Sequence, residues 1–136
     1  MVCNICDGQT EVINSRSQKR NNQVWRRRRC LKCHAAFTTH ESAYLPAIFF
    51  VKRDDSIEPF IPDRLLAELI YMLRDAPKAY ENAKELSSVI IRNVLKKTAE
   101  GLILPQVISL EASKVLKRFN KQAWLRYQAE HPSLQG

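Results

Sequence analysis

Several features of common protein classes are missing from this 136-residue sequence. The longest uncharged apolar run, Ala47 to Val51, is far shorter than the roughly 20 residues that cross a bilayer as a helix. The first residues also lack the order of a secretion signal, in which a basic segment precedes an apolar one. We therefore expect a cytoplasmic protein without a membrane partner.

Glycine is scarce as well. The sequence has only three glycines, and none lies in a Gly-rich phosphate loop of the Walker type. No low-complexity tract occurs, and an apolar content of 45% is normal for a globular protein. The length allows one ordinary domain or two small ones, so we expect a compact fold without that class of phosphate-binding loop.

Positive charge is abundant and unevenly distributed. The net charge is +8, and residues 1–42 carry eight Lys and Arg against three Asp and Glu. Residues 43–136 carry fourteen against eleven, so most of the excess lies in the first third of the chain. This distribution indicates a polyanionic partner, with nucleic acid favoured over acidic protein or a membrane surface.

All four cysteines fall into two pairs with the same spacing, Cys3-x-x-Cys6 and Cys30-x-x-Cys33. Two residues between cysteines allow a tight turn to present both sulfurs to one ion, and two such turns complete the tetrahedral shell that Zn²⁺ prefers. Four thiolates leave no open position for water, so we predict a structural zinc site. A redox dithiol is the alternative, but no helical pattern follows either pair.

Zinc would also explain how so small a module folds. About 42 residues with few large apolar side chains bury too little surface to fold alone. A structural zinc ion contributes on the order of 10–16 kcal/mol of apparent binding energy to such a module. His34 and His40 could replace a cysteine ligand, but with four cysteines in place we expect them at the surface or beside the site.

Arginine dominates the segment before the second cysteine pair, which reads Trp25-Arg26-Arg27-Arg28-Arg29-Cys30. If it is extended, Arg26 and Arg28 share one face, while Arg27 and Arg29 share the other. Guanidinium groups make bidentate contacts with phosphate or with guanine. We interpret the run as a nucleic-acid contact rather than a solvated charge run; the residues alone do not separate duplex DNA from RNA.

The composition changes between residues 42 and 46, and strands and helices are predicted beyond it. Residues 48–53 and 57–60 have strand composition around an Asp54-Asp55-Ser56 turn, and Pro59 places the second strand at an edge. Helical periodicity predicts four helices: from Pro62 to Pro77, from Glu81 to Glu100 with Gly101 as cap, one capped by Ser109, and one after Asn120. Residues 102–105 could add a short strand. The apolar stripes of the four predicted helices are expected to form the core.

Motifs along nearly the whole chain resemble one family, the NrdR-type transcriptional repressors. The matching motifs are Cys3-x-x-Cys6, Val12-Ile13-Asn14-Ser15-Arg16, Trp25 to Cys33 with its arginines, Phe37-Thr38-Thr39-x-Glu41, Val51-Lys52-Arg53-Asp54, Glu58-x-Phe60 and Ala123-Trp124-Leu125-Arg126-Tyr127. The resemblance implies an α+β chain, with a small β zinc ribbon over residues 1–42 and a mainly helical ATP-cone-like domain with a short β-hairpin over residues 47–131.

The resemblance also implies a function. Such repressors bind double-stranded DNA upstream of ribonucleotide reductase genes, and ATP or deoxy-ATP controls their oligomeric state. Carried over to this chain, the DNA contacts are Arg16, Arg26, Arg27, Arg28 and Arg29. The nucleotide contacts are Lys52, Arg53, Glu58 and Arg64. We therefore predict a zinc-dependent DNA-binding regulator that forms a homo-oligomer and responds to adenine nucleotides.

Departures from the family pattern cluster in the second part of the chain. The family's Asp-Gly turn is Asp54-Asp55 here, its Phe-Asp pair is Phe60-Ile61, and Arg64 replaces a lysine. The main alternative is therefore a nucleotide-independent DNA binder whose second domain only oligomerises. Another alternative is an adaptor protein whose ribbon binds other proteins. An enzyme is not expected, because the chain has no room for a catalytic barrel and no unassigned cysteine.

Overall fold

The computed structural model describes residues 1–134 and divides into two compact units, one formed by residues 1–43 and the other beginning at Tyr44. We call them the ribbon and the helical unit. None of the helices in the described part of the chain combines the length and apolarity needed to span a bilayer. The fold class is α+β, as predicted.

The ribbon is a three-stranded antiparallel sheet with strand order β1-β2-β3. Its strands are β1 (Thr10–Gln18), β2 (Gln23–Cys30) and β3 (Ala36–Glu41). The register between β1 and β2 shifts between Val12 and Asn14, which leaves one extra residue in β1. The arginine run lies in the central strand, which is paired on both sides by ladders of hydrogen bonds.

The ribbon has almost no core of its own. Within residues 1–43, only the side chains of Cys3 and Cys30 are buried. Trp25, Phe37 and Val24 are half-buried, whereas Val12 and Ile13 are exposed. Apolar burial this small does not offset the conformational entropy of ordering about 40 residues. The sulfur site must therefore supply most of the stability of the ribbon.

The helical unit contains a second three-stranded sheet with strand order β5-β4-β6. Here β4 (Phe50–Arg53) and β5 (Ser56–Pro59) form the predicted hairpin, and β6 (Leu102–Ile103) runs parallel to β4. Pro59 lies in an edge strand, as its missing N–H requires. The strand predicted at residues 102–105 is present but shorter, since it covers Leu102–Ile103 and Pro105 already begins a helix.

Within residues 44–134, four α-helices pack together and against this sheet. They are α1 (Pro62–Met72), α2 (Ala79–Lys96), α3 (Pro105–Phe119) and α4 (Lys121–Glu130). The fully buried side chains come from all four helices and from β6, so one apolar core joins the sheet to the bundle. The largest are Tyr127, Leu69, Met72, Leu73, Ile90, Ile103, Leu116 and Val94.

Two predicted helix ends are wrong. Helix α1 stops at Met72, well before Pro77, and turns closed by hydrogen bonds from the N–H of Arg74 to Tyr71 O and from the N–H of Ala76 to Leu73 O fill the interval. Helix α2 stops at Lys96, so Gly101 does not cap it. Gly101 instead adopts a φ of 73° in the turn before β6, where a Cβ would lie 2.9 Å from the carbonyl oxygen of Ile48.

The predicted cap of α3 is also wrong. The helix begins at Pro105, so Ser109 lies inside it and donates a hydrogen bond to the carbonyl oxygen of Pro105 at 3.2 Å. Proline at the first helical position was the signal that indicated this start. Phe119, predicted to be core, is 46% exposed at the end of α3. Asn120 then caps α4 by accepting a hydrogen bond from the N–H of Ala123 at 2.9 Å.

Candidate metal centre and nucleic-acid interface

The four cysteines of the ribbon converge on one point. Their Sγ atoms all lie within 4.8 Å of one another, with Cys3 3.7 Å from Cys33 and Cys6 3.4 Å from Cys30. Tetrahedral coordination with Zn–S bonds of about 2.3 Å places sulfurs about 3.8 Å apart. The distances also exceed by far the roughly 2.05 Å of a disulfide bond. The donor set and its spacing therefore fit a zinc ion.

Both cysteine pairs sit in turns built in the same way. Backbone N–H groups point at the sulfurs: Ile5 donates to Cys3 Sγ at 3.4 Å, and Lys32 donates to Cys30 Sγ at 3.3 Å. The residue after the second cysteine of each pair, Asp7 or His34, has a positive φ of 58° or 62°. Two equivalent turns thus face each other and supply the four ligands.

Backbone hydrogen bonds also prepare Cys30 to be a ligand. The N–H groups of Cys33 and Lys32 stabilise its thiolate and lower the pKa of Cys30 to about 6, against the opposing effect of burial. Thiolate is the form that coordinates zinc. Within the described residues, no histidine joins the four-cysteine group; His34 lies in the turn, and His40 packs 5.8 Å from the Trp25 ring.

Gly8 is part of this site, although nothing in the cysteine spacing indicated it. A Cβ at this position would lie 2.8 Å from Lys32 Cβ and 3.1 Å from the sulfurs of Cys6 and Cys30. Its carbonyl oxygen also accepts a hydrogen bond from the N–H of Cys3 at 2.9 Å. Only a residue without a side chain lets the second turn approach this closely.

Replacing Gly8 by alanine is therefore expected to weaken the metal centre. The added methyl must push apart two cysteine-bearing turns, which overpacks the site by about 1–3 kcal/mol. We expect zinc affinity to fall by roughly tenfold or more in a competition titration with a chromogenic chelator. Asn4→Ala changes an exposed residue of the first turn and is the control. Equal affinities for Gly8→Ala and the wild-type chain would contradict this account.

The two faces of β2 are not equivalent. Arg27 and Arg29 are exposed, whereas Arg26 and Arg28 are half-buried, in the alternation that an extended strand predicts. Arg26 pairs with Glu41 at 3.2 Å, and Arg28 donates to Thr39 Oγ1 at 3.4 Å. The guanidinium groups of Arg26 and Arg28 thus contact β3 on one face of the ribbon.

Residues from three strands surround Arg27 and Arg29 on the other face. Trp25 lies in register with Arg16 of β1 and with His40 of β3, and its indole N–H donates to Gln23 at 3.0 Å. Arg27 is in register with Asn14 and Thr38, and it donates to Thr38 Oγ1 at 3.0 Å. We call Arg16, Trp25, Arg27, Arg29 and His40 the arginine face. It brings together three of the five predicted DNA-contacting arginines.

The predicted nucleotide contacts are only partly brought together. Arg53, Glu58 and Arg64 line a cavity of about 110 Å³ between the second sheet and α1. Lys52 alternates to the other face of β4 and is exposed beside Ile57. Glu58 Oε2 lies 3.4 Å from Arg53 Nε and 3.6 Å from Arg64 Nη1, so one carboxylate already faces both cations.

A second carboxylate lines this cavity, and the sequence did not predict it. Glu68 of α1 also lines it and pairs with His131, which stacks 4.0 Å from the Tyr127 ring. Burial, followed by the nearby charge of Glu68, raises the pKa of Tyr127. Two carboxylates and two guanidiniums therefore share the cavity, and its net charge is close to zero.

Comparison with known families gives one finding. Residues 1–41 match the family model described as "Transcriptional repressor NrdR-like, N-terminal domain". The match spans β1, β2, β3 and all four cysteines, and it ends before the helical unit begins. The ribbon is therefore similar to the N-terminal domain of that repressor family in sequence, and its cysteine cluster is consistent with a zinc ribbon.

Proposed function

We propose that this chain is a zinc-dependent transcriptional regulator whose ribbon binds double-stranded DNA through the arginine face. The observation that carries the proposal is the exposure of Arg27 and Arg29 on the central strand of a sheet that the four cysteines hold in place. The match of residues 1–41 to a repressor family supports the same role.

The shape of the ribbon suits a DNA groove. Arg27 and Arg29 are two residues apart on a strand, so their Cα atoms lie about 6.6 Å apart. The major groove of B-DNA is about 12 Å wide and admits a small β-ribbon, in which arginines reach phosphates or the O6 and N7 atoms of guanine. Trp25 and His40 lie on the same face of the sheet, with their ring centroids 5.8 Å apart. The arginine face can therefore contact the DNA backbone and base edges together.

The proposal extends to the helical unit, which we infer to mediate self-association under control of ATP or deoxy-ATP. Arg53 and Arg64 beside a cavity support this role. Nucleotide can control assembly only if it binds the DNA-competent oligomer more tightly than the other states. A phosphate group entering the cavity would have to displace Glu58 from its two arginines.

A second candidate is a DNA binder that does not respond to nucleotides. The pairing of Glu58 with both arginines favours it, as does the cavity volume of about 110 Å³, since small-molecule sites usually occupy about 300–1,000 Å³. In this case the helical unit serves only in self-association.

A gel-shift assay tests the proposal and separates the two candidates. Zinc-loaded protein is titrated into a DNA duplex and into an RNA duplex of the same sequence, without nucleotide and with millimolar ATP or deoxy-ATP. We expect DNA binding that weakens steeply with salt and changes with nucleotide. DNA binding that is identical with and without nucleotide supports the second candidate. Absence of DNA binding at low salt refutes both.

A further inference from the structure

The helical unit carries a basic surface that the ribbon-based function does not use. Between residues 105 and 129 the chain has five basic residues and a single acidic one, Glu111. Lys114, Lys117 and Arg118 are exposed on one face of α3, because residues three and four apart share a helix face. Lys121 follows three residues later, within about 11 Å of Arg118 along the chain.

The carboxylate of Glu111 is buried and forms ion pairs with two lysines, one of which lies outside residues 105–129. Glu111 is 5% exposed, and its Oε1 contacts the ammonium groups of both Lys97 and Lys114, which are 52% and 61% exposed. The hydrogen bond from Lys97 lowers the pKa of Glu111, so the carboxylate stays ionised. Between residues 97 and 121 the chain has five basic residues and two acidic ones, Glu100 and the buried Glu111, so this stretch carries a net charge of +3. We call Lys97, Lys114, Lys117, Arg118 and Lys121 the basic surface.

A tryptophan positions a third lysine. The ammonium group of Lys117 lies 5.2 Å from the centroid of the Trp124 ring, and the indole N–H of Trp124 donates to Ser113 at 3.1 Å. The Trp124–Ser113 hydrogen bond joins α4 to α3, and the cation–π contact holds the Lys117 ammonium group over the Trp124 ring. Glu111 and Trp124 therefore fix three of the five cations, which reduces the entropy lost when they bind an anion.

Helix stability does not account for the whole basic surface. Lys117 and Arg118 lie in the last turn of α3, where cations favour the negative end of the helix dipole. Lys121, in contrast, begins α4, and no acidic residue lies in the first turn of that helix. A cation at a helix N-terminus is unfavourable for folding. Lys121 is therefore better explained by a partner than by stability.

We propose that the basic surface is a second contact for the phosphate backbone of the DNA that the ribbon binds. Lysines act as point charges toward phosphate and do not read bases, so this contact is independent of sequence. An acidic protein is the competing partner. A polyphosphate is favoured because the same chain presents an arginine face, and linking two DNA contacts raises the effective concentration of the second. The inference thus rests on the proposed function of the ribbon.

The salt dependence of DNA affinity tests this surface. In the full chain, Lys114→Gln, Lys117→Gln, Arg118→Gln and Lys121→Gln are combined. Each lost phosphate contact reduces the slope of log Kd against log salt by about 0.9, so the slope should fall by about 2 to 3.5. The loss of affinity should be the same on duplexes of unrelated sequence.

A matched control removes four exposed cations of the helical unit outside the basic surface: Arg74, Lys78, Lys84 and Arg92, each replaced by glutamine. This variant should keep at least most of the wild-type slope. Lys114→Arg, Lys117→Arg and Lys121→Arg, combined in one variant, retain the charge and should give the wild-type slope. Circular dichroism verifies that each variant is folded. If the fourfold variant unfolds, Arg118→Gln with Lys121→Gln alone is measured, and its slope should fall by about 1 to 1.8.

The outcomes are distinguishable. The proposal is overturned if the glutamine variant keeps the wild-type slope, or if the control variant loses as much slope as the glutamine variant. In either case, DNA binding by the wild-type chain still supports the function of the ribbon. A poly-glutamate peptide that competes as well as duplex DNA at equal charge assigns the surface to an acidic protein instead. No DNA binding by the wild-type chain refutes the ribbon function, and this inference with it.

Discussion

Stripping the metal is expected to unfold residues 1–43 and to leave the four helices folded. The ribbon buries only Cys3 and Cys30, whereas the helical unit has a continuous apolar core. A structural zinc ion contributes on the order of 10–16 kcal/mol, as much as the whole stability of many domains. Without it, four thiols gathered within 4.8 Å have no attraction strong enough to hold the two turns together.

The position of the two tryptophans makes this prediction measurable unit by unit. Trp25 belongs to the ribbon and Trp124 to the helical unit. Fluorescence of a Trp124→Phe variant reports on the ribbon, and that of a Trp25→Phe variant reports on the helices. A strong chelator should shift the emission of Trp25 to that of a solvated indole, with little change for Trp124.

Two controls complete the experiment. Adding zinc back under reducing conditions should restore the Trp25 signal, and Cys30→Ser should give the unfolded signal without any chelator. Ser17→Ala changes an exposed position of β1 and should behave as the wild-type chain does. Trp25 emission that is unaffected by chelation, or a purified reduced chain without stoichiometric zinc, contradicts the metal centre and the family resemblance built on it.

The ribbon could be predicted largely from sequence because its determinants are local. Two Cys-x-x-Cys pairs fix the ligands, and an uninterrupted arginine run in an extended strand fixes which side chains share a face. Gly8 was not predicted, since its role depends on Lys32 and Cys30 coming close from a distant part of the chain. The pairing of Arg26 with Glu41 was missed for the same reason: it needs the register of β2 against β3.

The helical unit was predicted less well at its helix ends and around its cavity. Apolar periodicity locates the middle of a helix, but tertiary contacts decide where it stops. Gly101, for example, serves the turn before β6 because the backbone of Ile48 approaches it. Lys52 and Arg53, both predicted nucleotide contacts, lie on opposite faces of β4, because consecutive side chains of a strand alternate. Glu68 carried no local signal and was found only in the structure.

The second large effect is expected from the arginine face. Replacing Arg27 and Arg29 together by alanine should weaken DNA binding by about 2–4 kcal/mol, or roughly 30-fold to 1,000-fold, since a bidentate arginine contact contributes about 1–3 kcal/mol. The fold of the ribbon should change little, because both side chains are exposed. Fluorescence anisotropy with a labelled duplex measures the affinity, and the Trp25 emission monitors the fold.

Arg26→Ala with Arg28→Ala is the matched control, with the same loss of charge on the opposite face of the same strand. These side chains contact Glu41 and Thr39, so their removal should lower ribbon stability slightly, by about 0–1 kcal/mol for the half-exposed ion pair. The control variant should reduce DNA affinity several-fold less than the Arg27→Ala, Arg29→Ala variant does. If the two variants lose equal affinity, long-range charge alone accounts for binding, because only direct contact distinguishes the faces of a sheet. A larger loss from Arg26 and Arg28 would assign the DNA contact to the other face.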